Sequence, residues 1–165
     1  MPMPEHARIW EPCAGGHKIV NALRDNGYKN VFSSDITDEY GVEHDEILDF
    51  LTKHDDYNPF VANVIITNPP YGQGNKLAVQ SVRKALATKG VDYVAMLLTS
   101  KFDFGSTRVD LFRDNPSFFG KLNLIDRISW AGNGKTGTDD NAWLIWNKHK
   151  SSLDKPQLFY GGKNR

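Results

Sequence analysis

Two adjacent prolines, Pro69 and Pro70, come one residue after the apolar run Val61-Ala62-Asn63-Val64-Ile65-Ile66-Thr67. That run reads as a buried strand, and neither a helix nor a central strand continues through two residues that lack N–H donors and fix φ. The chain must therefore turn at Asn68-Pro69-Pro70-Tyr71, at a strand end. Around this point strand-like and helix-like segments alternate, which predicts an α/β sheet with crossover helices. Ala7 to Cys13 predicts a first strand. Ala14-Gly15-Gly16 then leads into a helix with Ile19, Val20 and Leu23 on one face, stopped by Asn26-Gly27. Val31-Phe32 begins a second strand ending at Asp35, and Ile47-Leu48-Asp49-Phe50 a short third one. After the proline turn a helix places Leu77, Ala78, Val82, Ala85 and Leu86 inward, closed by Lys89-Gly90. Val91 to Leu98 predicts a fifth strand, Val109 to Arg113 a short helix, and Leu122 to Trp130 and Ala142 to Trp146 two further strands. A polar, glycine-rich loop from Ala131 to Asn141 separates the last two.

The 165 residues suffice for one domain with its own core, taken here as residues 1–150 with a short polar tail over 151–165. No apolar stretch is long enough to span a bilayer, and Met1-Pro2-Met3-Pro4-Glu5-His6 has no signal-peptide pattern. A single cysteine excludes an internal disulfide and fits a reducing, cytoplasmic setting. Cysteine and histidine are too few and scattered for a zinc cluster, so no metal is expected. The 20 basic and 20 acidic residues cancel, which argues against tight nonspecific binding to nucleic acid but leaves room for a local basic face. Acidic residues crowd the first half, and lysines and arginines gather beyond Lys76.

The turn itself suits chemistry on a planar amino group. The Asn68 carboxamide oxygen and the Pro69 carbonyl can both accept from one –NH₂, Pro70 stiffens the turn, and Tyr71 offers a face for a flat heterocycle. Glu11-Pro12-Cys13-Ala14-Gly15-Gly16 lies at a strand-to-helix junction, where glycines admit a ligand close to the backbone. Asp35 ends the next strand at the spacing where an acid binds ribose hydroxyls of an adenosine-containing cofactor. Asp49 could accept from an adenine amino group and Phe50 could pack on its ring. All four segments would lie along the carboxyl edge of one sheet, where open α/β sheets bind ligands.

These motifs, Glu11-Pro12-Cys13-Ala14-Gly15, Ser34-Asp35-Ile36, Asp49-Phe50-Leu51 and Ile66-Thr67-Asn68-Pro69-Pro70-Tyr71, resemble those of S-adenosylmethionine-dependent methyltransferases acting on the exocyclic amino group of adenine. With Ser129-Trp130-Ala131-Gly132-Asn133-Gly134-Lys135-Thr136 through Ala142-Trp143-Leu144-Ile145-Trp146, the chain looks like the small phage- or prophage-type DNA adenine-N6 enzymes from Trp10 to Trp146. The resemblance implies a Rossmann-like three-layer α/β sandwich, its mostly parallel seven-stranded sheet ending in an antiparallel hairpin. It implies that Glu11, Ala14, Gly15, Gly16, Asp35, Ile36, Asp49 and Phe50 hold S-adenosylmethionine. Asn68, Pro69, Pro70 and Tyr71 would form the catalytic turn on a flipped adenine of DNA. Tyr71 and Trp130 would stack on the base, although a strand-end aromatic is as often core. Lys101, Arg108 and Lys135 are candidate phosphate contacts, each also readable as a solvated surface charge.

Two departures stand out. His17 occupies a position where the family usually has another glycine; it reads as an exposed first-turn residue, or else as a side chain reshaping the methionine end of the pocket. Few residues precede the first strand, so the helix that usually covers the cofactor is expected to be missing or supplied otherwise. Pro12-Cys13 also invites comparison with cytosine-C5 methyltransferases, but their nucleophile lies at the fourth strand's turn, and Cys13 reads as a small buried residue. The Asn-Pro-Pro-Tyr turn also serves enzymes that methylate adenine in RNA, cytosine N4 or a glutamine amide. An inactive S-adenosylmethionine-binding module is a further alternative. The recognition sequence and oligomeric state are not encoded legibly.

Overall fold

The computed structural model describes residues 4, 6–128 and 139–162. Among the described residues eight strands form a mixed α/β sheet, one more than expected. The chain falls into two compact units, residues 1–94 and 95–165.

In the first unit, β1 (Ile9–Glu11) is flanked by β2 (Val31–Asp35) on one side and β4 (Val64–Thr67) on the other, all parallel, with β3 (Glu46–Ile47) parallel to β2. Ile9 aligns with Val31 and Val64, and Glu11 with Ser33, so the strand ends share one carboxyl edge. Every residue of β1 and β4 is buried, as expected for strands covered on both faces. Trp10 anchors the interior: its indole N–H donates to Ser34 Oγ at 2.8 Å, and its ring meets Phe50 edge-on at 5.2 Å.

Several strands are shorter than the sequence suggests, each for a local reason. Pro12 supplies no N–H to extend β1. Asp49 Oδ1 accepts from Leu51 N–H at 2.9 Å and turns the chain into a 3-10 turn over Phe50–Thr52, which ends the third strand before Asp49. Val61 has φ +45°, outside strand geometry, and its carbonyl accepts from Arg8 Nε at 2.7 Å, so β4 begins only at Val64.

α1 (Lys18–Asp25) closes as expected on Asn26 and Gly27. Gly27 takes φ +89° and donates to Arg24 O, while Tyr28 N–H reaches Leu23 O, the paired bonds of a glycine-terminated helix. α2 (Lys76–Ala87) buries Ala78, Ser81, Val82, Lys84 and Ala85. Leu77, expected inward, is 38% exposed. Lys84, unsuspected as an interior residue, donates to Lys53 O at 2.6 Å and pairs with Asp55 at 3.0 Å. Its aliphatic stem lies on the buried face and its ammonium ties the helix to the loop after β3.

β5 (Tyr93–Thr99) starts in the first unit and runs into the second. There β6 (Phe118–Leu124) pairs antiparallel with β7 (Asn141–Asn147), the expected hairpin, with β6 starting four residues earlier than Leu122. The hairpin is not the end of the sheet: β8 (Gln157–Gly161) forms within the polar tail and lies parallel to β6. Leu158, Phe159 and Tyr160 supply its strand character, and Phe159 stacks on Phe119 at 6.1 Å. Gly120 lets β8 approach, since a Cβ there would stand 2.3 Å from Gln157 O. The helix expected over Val109 to Arg113 is instead a 3-10 turn at Ser106–Arg108 followed by further turns. Trp146 donates its indole N–H to Leu111 O at 2.8 Å and holds this region on the second unit's core.

Candidate active site

The carboxyl edge of the first unit gathers the four sequence motifs. β1 delivers Glu11, β2 delivers Asp35, and β4 delivers Thr67 and Asn68, at the ends of parallel neighbours. The turn after β1 is pinned to β2 twice: Ala14 N–H donates to Ser34 O at 3.0 Å, and Gly15 N–H donates to Asp35 Oδ2 at 2.8 Å. Gly15 has φ +46°, which suits glycine. Gly16 is exposed and a Cβ there would meet nothing within 4 Å, so its turn has space on that side. Asp35 is 7% exposed; beyond Gly15 it has a long 3.4 Å contact from Thr37 N–H to Oδ1, which leaves acceptor capacity.

Four side-chain acceptor or donor atoms at this edge are buried without a hydrogen-bond partner among the described residues: both carboxylate oxygens of Glu11, Thr67 Oγ1 and Asn68 Oδ1. Buried polar atoms are nearly always paired, so such a cluster marks groups shaped for a ligand. Burial drives the Glu11 carboxyl well above its ordinary 4.5; the Thr67 hydroxyl and the Asn68 backbone lie near enough to offset this in part without completing a well-formed hydrogen bond, and the charge of Asp35 adds to it. In linkage terms the folded protein holds the Glu11 proton more tightly than the unfolded chain does. Stability is therefore full below the ordinary carboxylate value and falls as pH rises from there through the raised one. Glu11→Gln keeps the shape and removes the charge. It is expected to flatten that fall and raise stability at neutral pH by about 1–3 kcal/mol, roughly 2–12 °C in melting temperature. Thermal melts of both proteins between acid and neutral pH check this; a lower melting temperature for the variant at neutral pH refutes it.

Cys13 is half-buried, and burial followed by the charge of Glu11 pushes its thiol up to about 12. At neutral pH it stays protonated, unlike an activated nucleophile. Asp49 spends Oδ1 on Leu51 N–H, and Phe50 is 3% exposed with its ring committed to Trp10. Ile36, immediately after Asp35, is 67% exposed. In the proline turn Pro69 is buried, Pro70 exposed and Tyr71 half-buried. The Tyr71 carbonyl accepts from Leu77 N–H at 3.1 Å, so α2 grows directly from the turn. His17, read from sequence as exposed, is 8% exposed and sits at φ +61° as the N-cap of α1. The left-handed backbone explains why glycine would suit that position.

In the second unit, Lys101 is exposed, while Arg108 donates to Phe102 O at 2.6 Å and lies over the Phe102 ring at 4.4 Å. Trp130 and Lys135 lie outside the described residues. No group of three or more His, Cys, Asp or Glu able to hold a metal occurs among the described residues, and no helix there is long and apolar enough to cross a membrane.

No protein-family model matches the chain, and no curated protein matches it. Solved structures do. A provisionally assigned class I S-adenosylmethionine-dependent methyltransferase from Listeria monocytogenes superposes with TM-score 0.59 at 16% identity, over 94% of this chain and 58% of that one. A provisionally assigned RNA methyltransferase from Pyrococcus horikoshii gives TM-score 0.64 at 16% identity, over 87% and 75%. A chain of a type I R-M system gives 0.65 at 14% identity, over 94% of this chain and 40% of that one. This chain thus spans little more than half of the Listeria protein. The likeness shows that it has the fold of the class I methyltransferases.

Proposed function

We propose that the protein transfers a methyl group from S-adenosylmethionine to the N6 amino group of adenine in DNA. The observation that carries this reading is Asn68 Oδ1, buried and unpartnered at the end of β4, next to a proline whose carbonyl is the second acceptor the chemistry needs. The cofactor fits the same edge. Glu11 offers a buried carboxylate without a partner, suited to an ammonium group, and Asp35 retains acceptor capacity for ribose hydroxyls beside the Gly15 turn.

When bound, the cofactor supplies an electrophilic methyl on a sulfonium. The protein's part is positioning. An amino nitrogen conjugated with its ring is a poor nucleophile, and two acceptors, Asn68 Oδ1 and Pro69 O, draw its protons out of the ring plane and localise its lone pair. The adenine must leave the duplex to reach them, and Tyr71 stacks on it. No covalent nucleophile is needed, consistent with a thiol at Cys13 that stays protonated.

The fold is shared with a provisionally assigned RNA methyltransferase and with a chain of a type I R-M system, which supports a nucleic-acid substrate without choosing between DNA and RNA. Asn-Pro-Pro-Tyr and the phage-type late segment favour DNA adenine. Nucleoside mass spectrometry of DNA incubated with protein and S-adenosylmethionine is expected to give N6-methyladenine. N4-methylcytosine would refute the base, and label confined to RNA or protein pools would refute the substrate class.

A further inference from the structure

The turn after β1 and the loop after β2 are joined by two buried imidazoles. His17 Nε2 stands 2.9 Å from His44 Nδ1, the rings meet edge-on with centroids 4.8 Å apart, and both residues are 8% exposed. His17 belongs to the turn that carries Gly15 and Gly16. His44 closes the loop that leaves β2 at Asp35. Between them that loop carries Tyr40, 58% exposed, whose ring lies 3.9 Å from the place a Cβ on Gly15 would take. Tyr40 therefore lies beside the glycine turn, and the histidine pair fixes the segment that puts it there.

We propose that the His17–His44 hydrogen bond is a clasp that holds the Tyr40 loop against the glycine turn and so sets how tightly the pocket grips its cofactor. This rests on the reading of that turn as the cofactor site. Both histidines are positioning residues in this scheme, and Tyr40 is the contact they position.

An N–H···N bond needs one imidazole nitrogen left bare. The neutral and singly protonated pairs can hold it, and the doubly protonated pair sets two N–H groups of like charge against each other. The charged and titratable groups around His17 are His44, Arg24 from α1, Asp35 at the end of β2 and Asp45 beside His44. Burial first, then His44 and Arg24, lower the His17 pKa from its ordinary 6.5, and Asp45 and Asp35 oppose this in part. The closed clasp thus binds fewer protons than the open one. Its grip is full above the ordinary histidine value and weakens as pH falls through and below it.

Binding of S-adenosylhomocysteine by calorimetry, from about pH 7.5 down to about 5.5, tests the clasp together with hydrogen exchange of the 37–44 amides. Wild-type affinity is expected to weaken toward acid as loop exchange quickens. His17→Gly, whose residue suits the left-handed backbone, is expected to bind about three- to tenfold more weakly at neutral pH, with a flatter pH profile and a faster-exchanging loop. His44→Gln keeps a donor and an acceptor that do not titrate while burial and Arg24 still act on His17, so it should bind nearer wild type than His17→Gly and lose less affinity toward acid than wild type. Tyr40→Ala should weaken binding without quickening loop exchange. Wild-type affinity that ignores pH, with His17→Gly and Tyr40→Ala binding as wild type, overturns the clasp and leaves the cofactor site standing. Failure of the wild-type protein to bind at any pH overturns both together.

Discussion

Asn68→Ala is expected to lower methyl transfer by at least about a hundredfold while leaving cofactor affinity within about twofold, the signature of losing one preorganised transition-state partner. The structure sharpens this expectation. Asn68 Oδ1 makes no hydrogen bond among the described residues, so removing that oxygen breaks no hydrogen bond there. The alanine variant should fold as the wild type does and still bind S-adenosylhomocysteine. Single-turnover kinetics beside calorimetry separate the two quantities. Turnover near wild type would defeat the amino-group mechanism, and equal losses in binding and turnover would make the turn a structural element instead.

Asp35→Ala is the second large effect: roughly ten- to a hundredfold weaker cofactor binding, the worth of hydrogen bonds to a charged acceptor. Here an internal link is lost as well, because Asp35 Oδ2 accepts from Gly15 N–H at 2.8 Å. The variant removes a ligand contact and loosens the turn that approaches the cofactor. Asp35→Asn separates these contributions, since its carbonyl oxygen can still take the Gly15 N–H. The asparagine variant is expected to lose less affinity than alanine, and calorimetry on both checks it. Equal affinity of Asp35→Ala and wild type would remove Asp35 from the pocket.

What could be read from the sequence depended on whether the decisive interaction was local. Gly27 announces the end of α1 and Pro69-Pro70 the end of β4, because each acts through its own backbone. The α/β alternation and the carboxyl-edge placement of Glu11, Asp35 and Asn68 follow from periodicity plus parallel topology, and both were legible. Asp49 misled as a strand end because its side chain competes with the ladder for Leu51 N–H. Val61 looked like strand, yet its carbonyl is drawn to Arg8, a residue distant in sequence. Lys84 and the His17–His44 pair were hidden for the same reason: a buried polar group becomes plausible only once its distant partner is known. β8 was missed because five residues in a polar tail have little strand signal without β6 beside them.

The way the proline turn passes into α2 bears on attempts to move it between proteins. After Tyr71 the backbone is left-handed at Gly72, Gly74 and Asn75, and a Cβ on Gly72 would stand 2.7 Å from Leu77 Cγ. Leu77, the residue that looked like core, lies under the bend, and its N–H is tied to the Tyr71 carbonyl. The four-residue motif is thus only the first part of a cartridge that extends through Ala78. Grafting Asn-Pro-Pro-Tyr alone onto another scaffold would transplant the acceptors without the brace that aims them, so a designer should carry the glycine bend and the first turn of the helix as one block.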